Sequence, residues 1–294
     1  MLISIGIVSF QACSYLRDCL RSIYQEPPGG EFEIIVVDNH STDGTVDMVK
    51  SEFPGVYLIE LARNTGFTAP MNQALRQGVG DFLLQLNPDT ILLPQAFNQM
   101  VAFMKNHPEV GICGPKVLNP DGTLQKPCRR GEPRPFAVFS YFLGLSKLFP
   151  KSELFGGYLL NHLDEDETHE VAGVSGSCML IRREVVDRIG FLDERYFAYQ
   201  EDADYCYQAR NAGWQVYYVP AARIMHYGGQ GGSRVKPYRS ILEWHRSYYL
   251  YYRKNLAADY FILFNWFYYL AMFFKLVLAL LQNALRQGKF SKRR

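Results

Sequence analysis

The chain has 294 residues, 48% of them apolar and 20% charged, which supplies a large buried core and excludes a disordered or fibrous protein. Lysine plus arginine exceed aspartate plus glutamate by only 31 − 29 = 2, so no concentrated basic surface for nucleic acid is expected. Six cysteines without a C-x-x-C pair, and a start without a basic leader, point to a reducing cytoplasm and away from zinc or secretion. The length fits one large α/β domain or two smaller ones.

From the amino terminus, apolar runs at 2–9, 33–37, 56–61, 82–86 and 111–117 read as strands. Helical patterns at 15–24, 45–53, 69–77 and 94–105 lie between them. Near-continuous apolar strands separated by helices predict an α/β, Rossmann-like, mostly parallel sheet covered on both faces, with ligands at the carboxyl ends of its strands. Residues 131–170 read as a loop with a short helix, followed by a strand at 178–181, a helix, and a further helix ending near Ala212. Four glycines among residues 228–232 predict a segment that is mobile until something binds it.

Three clusters carry chemistry. Asp38 ends the second strand, where a carboxylate can accept a pyrimidine ring N–H or cap a turn, and Arg63 to Phe67 stand at the same level after the third strand. Asn87-Pro88-Asp89 end the fourth strand, and one carboxylate plus an amide oxygen can hold a divalent cation that also takes diphosphate oxygens. A second copy, Asn119-Pro120-Asp121-Gly122, reads as a turn. Residues 191–205 gather acidic and aromatic side chains before a helix. There Glu201, Asp202 and Asp204 can serve the helix dipole or, if kept from water, act as a base. His226 follows a strand-like run and precedes the glycines.

At these residues the chain resembles the family 2 glycosyltransferases of the GT-A fold, closest to bacterial rhamnosyltransferase-type enzymes of O-antigen and other cell-surface polysaccharides. Residues 5–10, 36–45, 63–72, 86–90, 176–183, 191–210 and 226–233 keep the family's order and spacing. The resemblance implies an inverting transfer of a sugar such as rhamnose from a dTDP- or UDP-sugar to a lipid-linked or polysaccharide hydroxyl. By the same likeness, Ser9, Phe10 and Asp38 hold the base, while Arg63 with its neighbour Gly66 holds base or diphosphate. Asn87 and Asp89 stand at the D-x-D metal motif, with Asn in place of the first Asp, and His226 completes a Mg²⁺ or Mn²⁺ site. Asp202 matches the catalytic base, with Glu201 beside it, and Arg234 closes with the glycine loop over the diphosphate. The Q-x-x-R-W motif of processive synthases is absent. The implied division is a catalytic unit at 1–237, with a nucleotide-sugar half at 1–117 and an acceptor half at 118–237, followed by a membrane-associating segment of apolar helices at 238–294.

Two other readings remain open. A nucleotidyltransferase uses a similar sheet but carries a Gly- and Lys-rich loop after its first strand, which residues 9–14 lack, and a catalytically inactive membrane-bound scaffold subunit would not need Asp202. No G-x-G-x-x-G follows a strand, which removes a dehydrogenase.

The run of 22 residues at 260–281 is interrupted only by Asn265 and Lys275 and is long enough to cross a bilayer. A central lysine costs about 2.5–3.5 kcal/mol on insertion. On a wheel of about 100° per residue starting at Asp259, Asn265, Lys275, Gln282 and Arg286 fall at roughly 240°, 160°, 140° and 180°. That stripe predicts a helix lying at the headgroup boundary, polar stripe to water, with Lys289, Lys292, Arg293 and Arg294 drawn to anionic lipid. The expected place is the cytoplasmic face of the inner (plasma) membrane, as a monotopic or peripheral enzyme; the alternative is packing on the catalytic unit or in a homodimer.

Overall fold

The computed structural model describes residues 1–230 and 235–291, with side chains to residue 285. Its first half alternates β1 (Leu2–Ser9), α1 (Cys13–Gln25), β2 (Glu31–Asp38), α2 (Thr45–Glu52), β3 (Tyr57–Glu60), α3 (Thr68–Gln77) and β4 (Phe82–Leu86). There follow β5 (Thr90–Leu92), α4 (Ala96–Asn106), β6 (Val110–Leu118), β7 (Arg129–Arg130), α5 (Pro135–Phe142), α6 (Leu145–Leu148) and α7 (Glu153–Gly156). The second half continues with β8 (His169–Glu170), β9 (Gly173–Val174), β10 (Cys178–Arg182), α8 (Arg183–Ile189), α9 (Glu201–Asn211) and β11 (Gln215–His226).

One sheet organises these elements in the order β3-β2-β1-β4-β10-β6-β11-β5, with β8 on β11 and a separate β7-β9 pair. β1 is parallel to β2 and β4, and β6 is parallel to β11, whereas β10 is antiparallel to both β4 and β6. Every residue of β4, and Ile3 to Ser9 of β1, is buried, so both faces of the sheet are covered. The predicted elements of the first half are present, with ends moved by one or two residues in most cases. β5 was not anticipated, because three residues directly after Asp89 show no periodicity of their own. The 131–170 segment holds three short helices rather than one.

Two further helices close the chain. α10 (Pro237–Asn255) is fastened to the catalytic unit by polar groups. Lys254 Nζ lies 2.7 Å from Asp204 Oδ2 and 2.9 Å from Asp193 Oδ2, Asn255 Nδ2 donates to Asp204 Oδ1 at 2.7 Å, and Ser247 Oγ donates to the Ala198 carbonyl at 2.8 Å. α11 (Ile262–Ser291) lies along α10, with the Tyr252 and Tyr268 rings 4.3 Å apart.

The polar stripe of α11 does not face water as the wheel suggested. Asn265 accepts from the Tyr252 hydroxyl and donates to the Ala257 carbonyl at 2.9 Å. Lys275 sits over the Trp244 and Phe142 rings at 3.9 and 4.2 Å, with Nζ 3.4 Å from His245 Nε2, and burial lowers its pKa to about 8. Asn265 and Lys275 therefore turn inward, and the apolar arc with Trp266, Phe267, Leu270, Phe274 and Leu285 turns outward, each more than half exposed. Gln282 is exposed, while the side chains of Arg286 and Lys289, and residues 292–294, lie outside the described part.

Asp204 is 2% exposed and its main countercharge is Lys254. Replacing Lys254 by Met leaves that carboxylate buried with neutral partners only, and the expected loss is about 3 kcal/mol in chemical denaturation, against under about 1 kcal/mol for the exposed Arg253→Met.

Candidate functional site

A cavity of about 580 Å³ opens at the carboxyl end of β4. The chain leaves β4 through a turn at Asn87-Pro88-Asp89 that brings both Asn87 Nδ2, at 3.3 Å, and Asp89 Oδ1, at 3.1 Å, to His226 Nε2. β11 ends beside them: His226 pairs with Thr90, and the Tyr227 amide donates to the Asp89 carbonyl at 3.0 Å. Asp89 is thereby 5% exposed, with Oδ1 3.1 Å from His226 Nε2 and Oδ2 accepting from the Gln230 amide at 3.3 Å. Burial alone would raise its pKa; the His226 hydrogen bond and charge and the Gln230 amide outweigh burial and bring it below the ordinary value.

The tautomer of His226 decides what this pair suits. Gln125 Oε1 lies 2.7 Å from Nδ1, and Gln125 Nε2 donates to Asn119 Oδ1 at 3.1 Å and to the His226 carbonyl at 3.3 Å. That backbone contact fixes the amide, so Oε1 accepts and Nδ1 carries the proton. With a proton on both ring nitrogens Nε2 donates to Asp89, the state in which His226 lowers that carboxylate's pKa. In a neutral ring Nε2 instead offers a lone pair beside Asp89 Oδ1, with the Asn87 Nδ2 amide 3.3 Å away, and the place of the missing proton suits a cation. The donor set, one imidazole and one carboxylate, fits a divalent cation that takes its other ligands from phosphate and water. No third His, Cys, Asp or Glu joins them among the described residues. The second Asn-Pro-Asp copy is the turn expected, with Asp121 exposed and accepting from the Thr123 amide at 3.0 Å, and its Asn119 supports His226 through Gln125.

On the same cavity, α9 begins after two consecutive left-handed residues, Tyr199 (φ 68°) and Gln200 (φ 64°). Tyr199 is held by its hydroxyl, 2.6 Å from Ser240 Oγ on α10. This turn delivers Glu201 and Asp202 to the cavity wall. Asp202 Oδ2 accepts from Arg130 Nη2 at 2.5 Å and from the Gly176 amide at 2.8 Å, and Oδ1 accepts from the Ala203 amide at 2.7 Å. Burial works against the Arg130 charge, but the Asp202 charge beside it prevails and raises its pKa. Glu201 Oε2 is buried with no hydrogen-bond partner. Burial, and then the adjacent Asp202 charge, push its pKa well above the ordinary range.

Of the residues singled out in the sequence, Phe10, Gly66, Asn87, Asp89, Glu201, Asp202 and His226 line this one cavity. Gly66 adopts φ 96°, and a Cβ there would strike the Phe197 carbonyl. Ser9 and Asp38 pair at the ends of β1 and β2, just behind the cavity wall, and both Ser9 Oγ and Asp38 Oδ2 are buried without a partner. Asp38 Oδ1 caps the turn by accepting from the Ser41 amide at 2.8 Å. Arg63 is exposed and does not line the cavity, and Arg234 lies outside the described residues. The sequence did not disclose Arg130, which stands on a two-residue strand 72 positions from Asp202, or Gln125. It also gave no sign of the aromatic wall of Tyr141, Phe142, Tyr158, Trp244 and Tyr248.

The family model described as glycosyl transferase family 2 matches residues 4–190, and that of glycosyl transferase family group 2 matches residues 157–286. The chain belongs to glycosyl transferase family 2. This glycosyltransferase is 29% identical over 229 residues to an N-acetylglucosaminyl-diphospho-decaprenol L-rhamnosyltransferase of Mycobacterium tuberculosis, covering 74% of this chain and 73% of that one. It is 26% identical over 215 residues to the O-antigen biosynthesis protein RfbC of Myxococcus xanthus, covering 72% of this chain and 16% of that one. Its fold is similar to that of a mannosyltransferase from Pyrobaculum calidifontis in complex with GDP-Man and Mn²⁺ (TM-score 0.58, 17% identity, 86% of this chain and 64% of that one). It is also similar to residues 1–349 of TarS from S. aureus in complex with UDP-GlcNAc (TM-score 0.59, 20% identity, 85% and 65%). The transferase thus spans just under two-thirds of each of these solved structures.

Because folding raises the Glu201 pKa above its ordinary value of 4.5, its contribution to stability is full below that pH and is lost as pH climbs through the folded pKa. Glu201→Gln, which mimics the protonated form, is expected to melt close to the parent at pH 5 and above it at pH 9 in a thermal scan.

Proposed function

We propose that the chain catalyses an inverting, single-displacement transfer of a sugar from a nucleotide-diphosphate donor to a hydroxyl of a lipid-linked glycan. The observation that supports this most directly is that Asp202 and the Asp89–His226 pair line one and the same cavity. A carboxylate has about four acceptor positions, and Asp202 uses three, on Arg130, Gly176 and Ala203. The fourth remains for an acceptor hydroxyl. Asp202 takes that proton as the oxygen bonds to the anomeric carbon, and the bond from that carbon to the phosphate oxygen breaks with its electron pair leaving on the nucleoside diphosphate. Glu201, protonated at neutral pH, is a hydrogen-bond donor to the same sugar. The orphaned Ser9 Oγ and Asp38 Oδ2 suit a nucleobase edge behind Phe10, and Arg63 and Arg234 stay assigned to the donor by the family likeness. A divalent cation, held by Asp89 and His226 with Asn87 beside them, would neutralise charge developing on the leaving diphosphate.

The rhamnosyltransferase relative, whose name carries a decaprenol-linked acceptor, favours a deoxysugar donor such as dTDP-rhamnose and a polyprenyl diphosphate-linked acceptor. We assign catalysis to residues 1–237, with the donor half at 1–117 and the acceptor half at 118–237. Residues 238–294 then attach the enzyme to the cytoplasmic face of the plasma membrane, by the outward apolar face of α11. Its stretch Ile262–Leu285 has the length and composition of a membrane span.

Asp202→Asn is expected to keep donor binding by calorimetry and to lower turnover at least about 100-fold; a product with retained anomeric configuration would rule out single displacement. Asp89→Ala should abolish metal-dependent nucleotide binding, whereas Asp121→Ala in the duplicate tripeptide should bind as the parent does. Equal behaviour of those two variants would show the cation site to be misassigned.

A further inference from the structure

We propose that the α5–α7 segment, residues 135–156, is a second membrane-contacting element, and that with α11 lying in the membrane plane it docks the cavity mouth on an anionic bilayer. The inference rests on the membrane attachment and lipid-linked acceptor proposed above.

The first observation is apolar exposure away from α11. Phe139, Leu143, Leu148, Phe149 and Leu154 are each more than half exposed, Leu148 at 71% and Leu154 at 62%. A monomer rarely leaves such a patch uncovered. This surface is continuous with that of α11: Phe142, at the end of α5, meets Lys275 of α11 and stands edge-on to Trp244 of α10, with ring centroids 6.4 Å apart.

Charge selects the occupant. Between Glu132 and Glu153 the only charged side chains are Arg134, Lys147 and Lys151, and after Asp259 no acidic residue occurs while Lys275, Arg286, Lys289, Lys292, Arg293 and Arg294 do. Within residues 135–156 Lys147 and Lys151 outnumber the single acid, Glu153, and the chain after Asp259 carries basic residues alone. That charge balance suits an anionic lipid surface, because each lysine or arginine near it adds attraction. A second copy of the same face would oppose like charges.

The packing of α11 sets its orientation. From Asn265 to Lys275 it lies against α10, which carries Glu243, Arg246, Arg253 and Lys254 and is pinned to α9 through Asp204. A crossing α11 would draw these charges into hydrocarbon. The remainder of the helix, 276–291, reaches about 24 Å, and its uncharged part, 276–285, about 15 Å, half of a bilayer core of about 30 Å. The helix therefore lies flat. Phe142 and Trp244 line the cavity and also belong to this surface, so an acceptor can leave its polyprenyl tail in the bilayer while its head group enters toward Asp202.

The test uses the full chain and vesicles containing about one-third phosphatidylglycerol in phosphatidylcholine. Leu148→Glu combined with Leu154→Glu is expected to lower co-flotation at least about tenfold while nucleotide binding in detergent stays at the parental value. A fluorophore on Leu148→Cys should shift to the blue when vesicles are added. If the parent floats and the double variant floats equally, this proposal falls and the attachment by α11 stands. If the parent itself does not float while still binding donor, the membrane reading falls with it. A lipid-free dimer broken by the double variant would assign the face to a second copy, and a C-terminal tag cleaved only from inside sealed vesicles would show a crossing helix; either result overturns the proposal.

Discussion

The antiparallel insertion of β10 between β4 and β6 is the constraint on which the site depends. Both neighbours run the other way, so β10 starts where β4 ends, and the Ser177 carbonyl accepts from the Asn87 amide at 2.9 Å while the preceding Gly176 amide reaches Asp202. One tight passage therefore touches both the Asn-Pro-Asp segment and the Asp202 carboxylate. A Cβ at Gly176 would collide with Gln85 Nε2 and come within 3.2 Å of Asp202 Cβ, so glycine lets this passage lie close against Asp202. The parallel half of the sheet delivers its groups to strand ends, and the reversed strand joins them to the second half.

The carboxylate wall is held against local preference. Tyr199 and Gln200 are non-glycine residues in the left-handed region, each at a cost of about 1–2 kcal/mol, and Glu201 is buried beside a second carboxylate. The Arg130 pairing with Asp202 and the Tyr199–Ser240 hydrogen bond supply opposing terms. Charge at this wall thus belongs to a set of groups from β7, α9 and α10, and the proton affinity of Glu201 is a property of that set.

The parallel strands, their helices and the cavity residues at strand ends, such as Phe10, Asn87 and Asp89, were legible because period and position act locally: an apolar run ends, and the next polar residue stands at the sheet edge. What was illegible is long-range. β11 carries Pro220 and a register shift between Val219 and Arg223, which hide a twelve-residue strand from pattern reading. Arg130 looks like any surface arginine until folding brings Asp202 to it. The wheel of α11 grouped Asn265 with Lys275 correctly, but a wheel states which residues share a face and not where that face looks. Trp244 and His245, about 30 positions away, decided that lysine would turn inward.

α10 belongs to two structures at once. Its amino-terminal half bonds the turn ahead of Glu201, its carboxyl end neutralises Asp204, and its other side is the bed of α11. For protein production this separates solubility from activity at one short connection, residues 256–261. A chain ended at 237 discards hydrogen bonds that hold the carboxylate wall, whereas one ended at Asp259 keeps them all and removes the outward apolar arc. It newly uncovers the faces of Phe142, Trp244, Tyr248, Tyr249 and Tyr252 that met α11, and the exposed apolar residues of α5–α7 stay, so both surfaces need polar substitutions or a mild detergent.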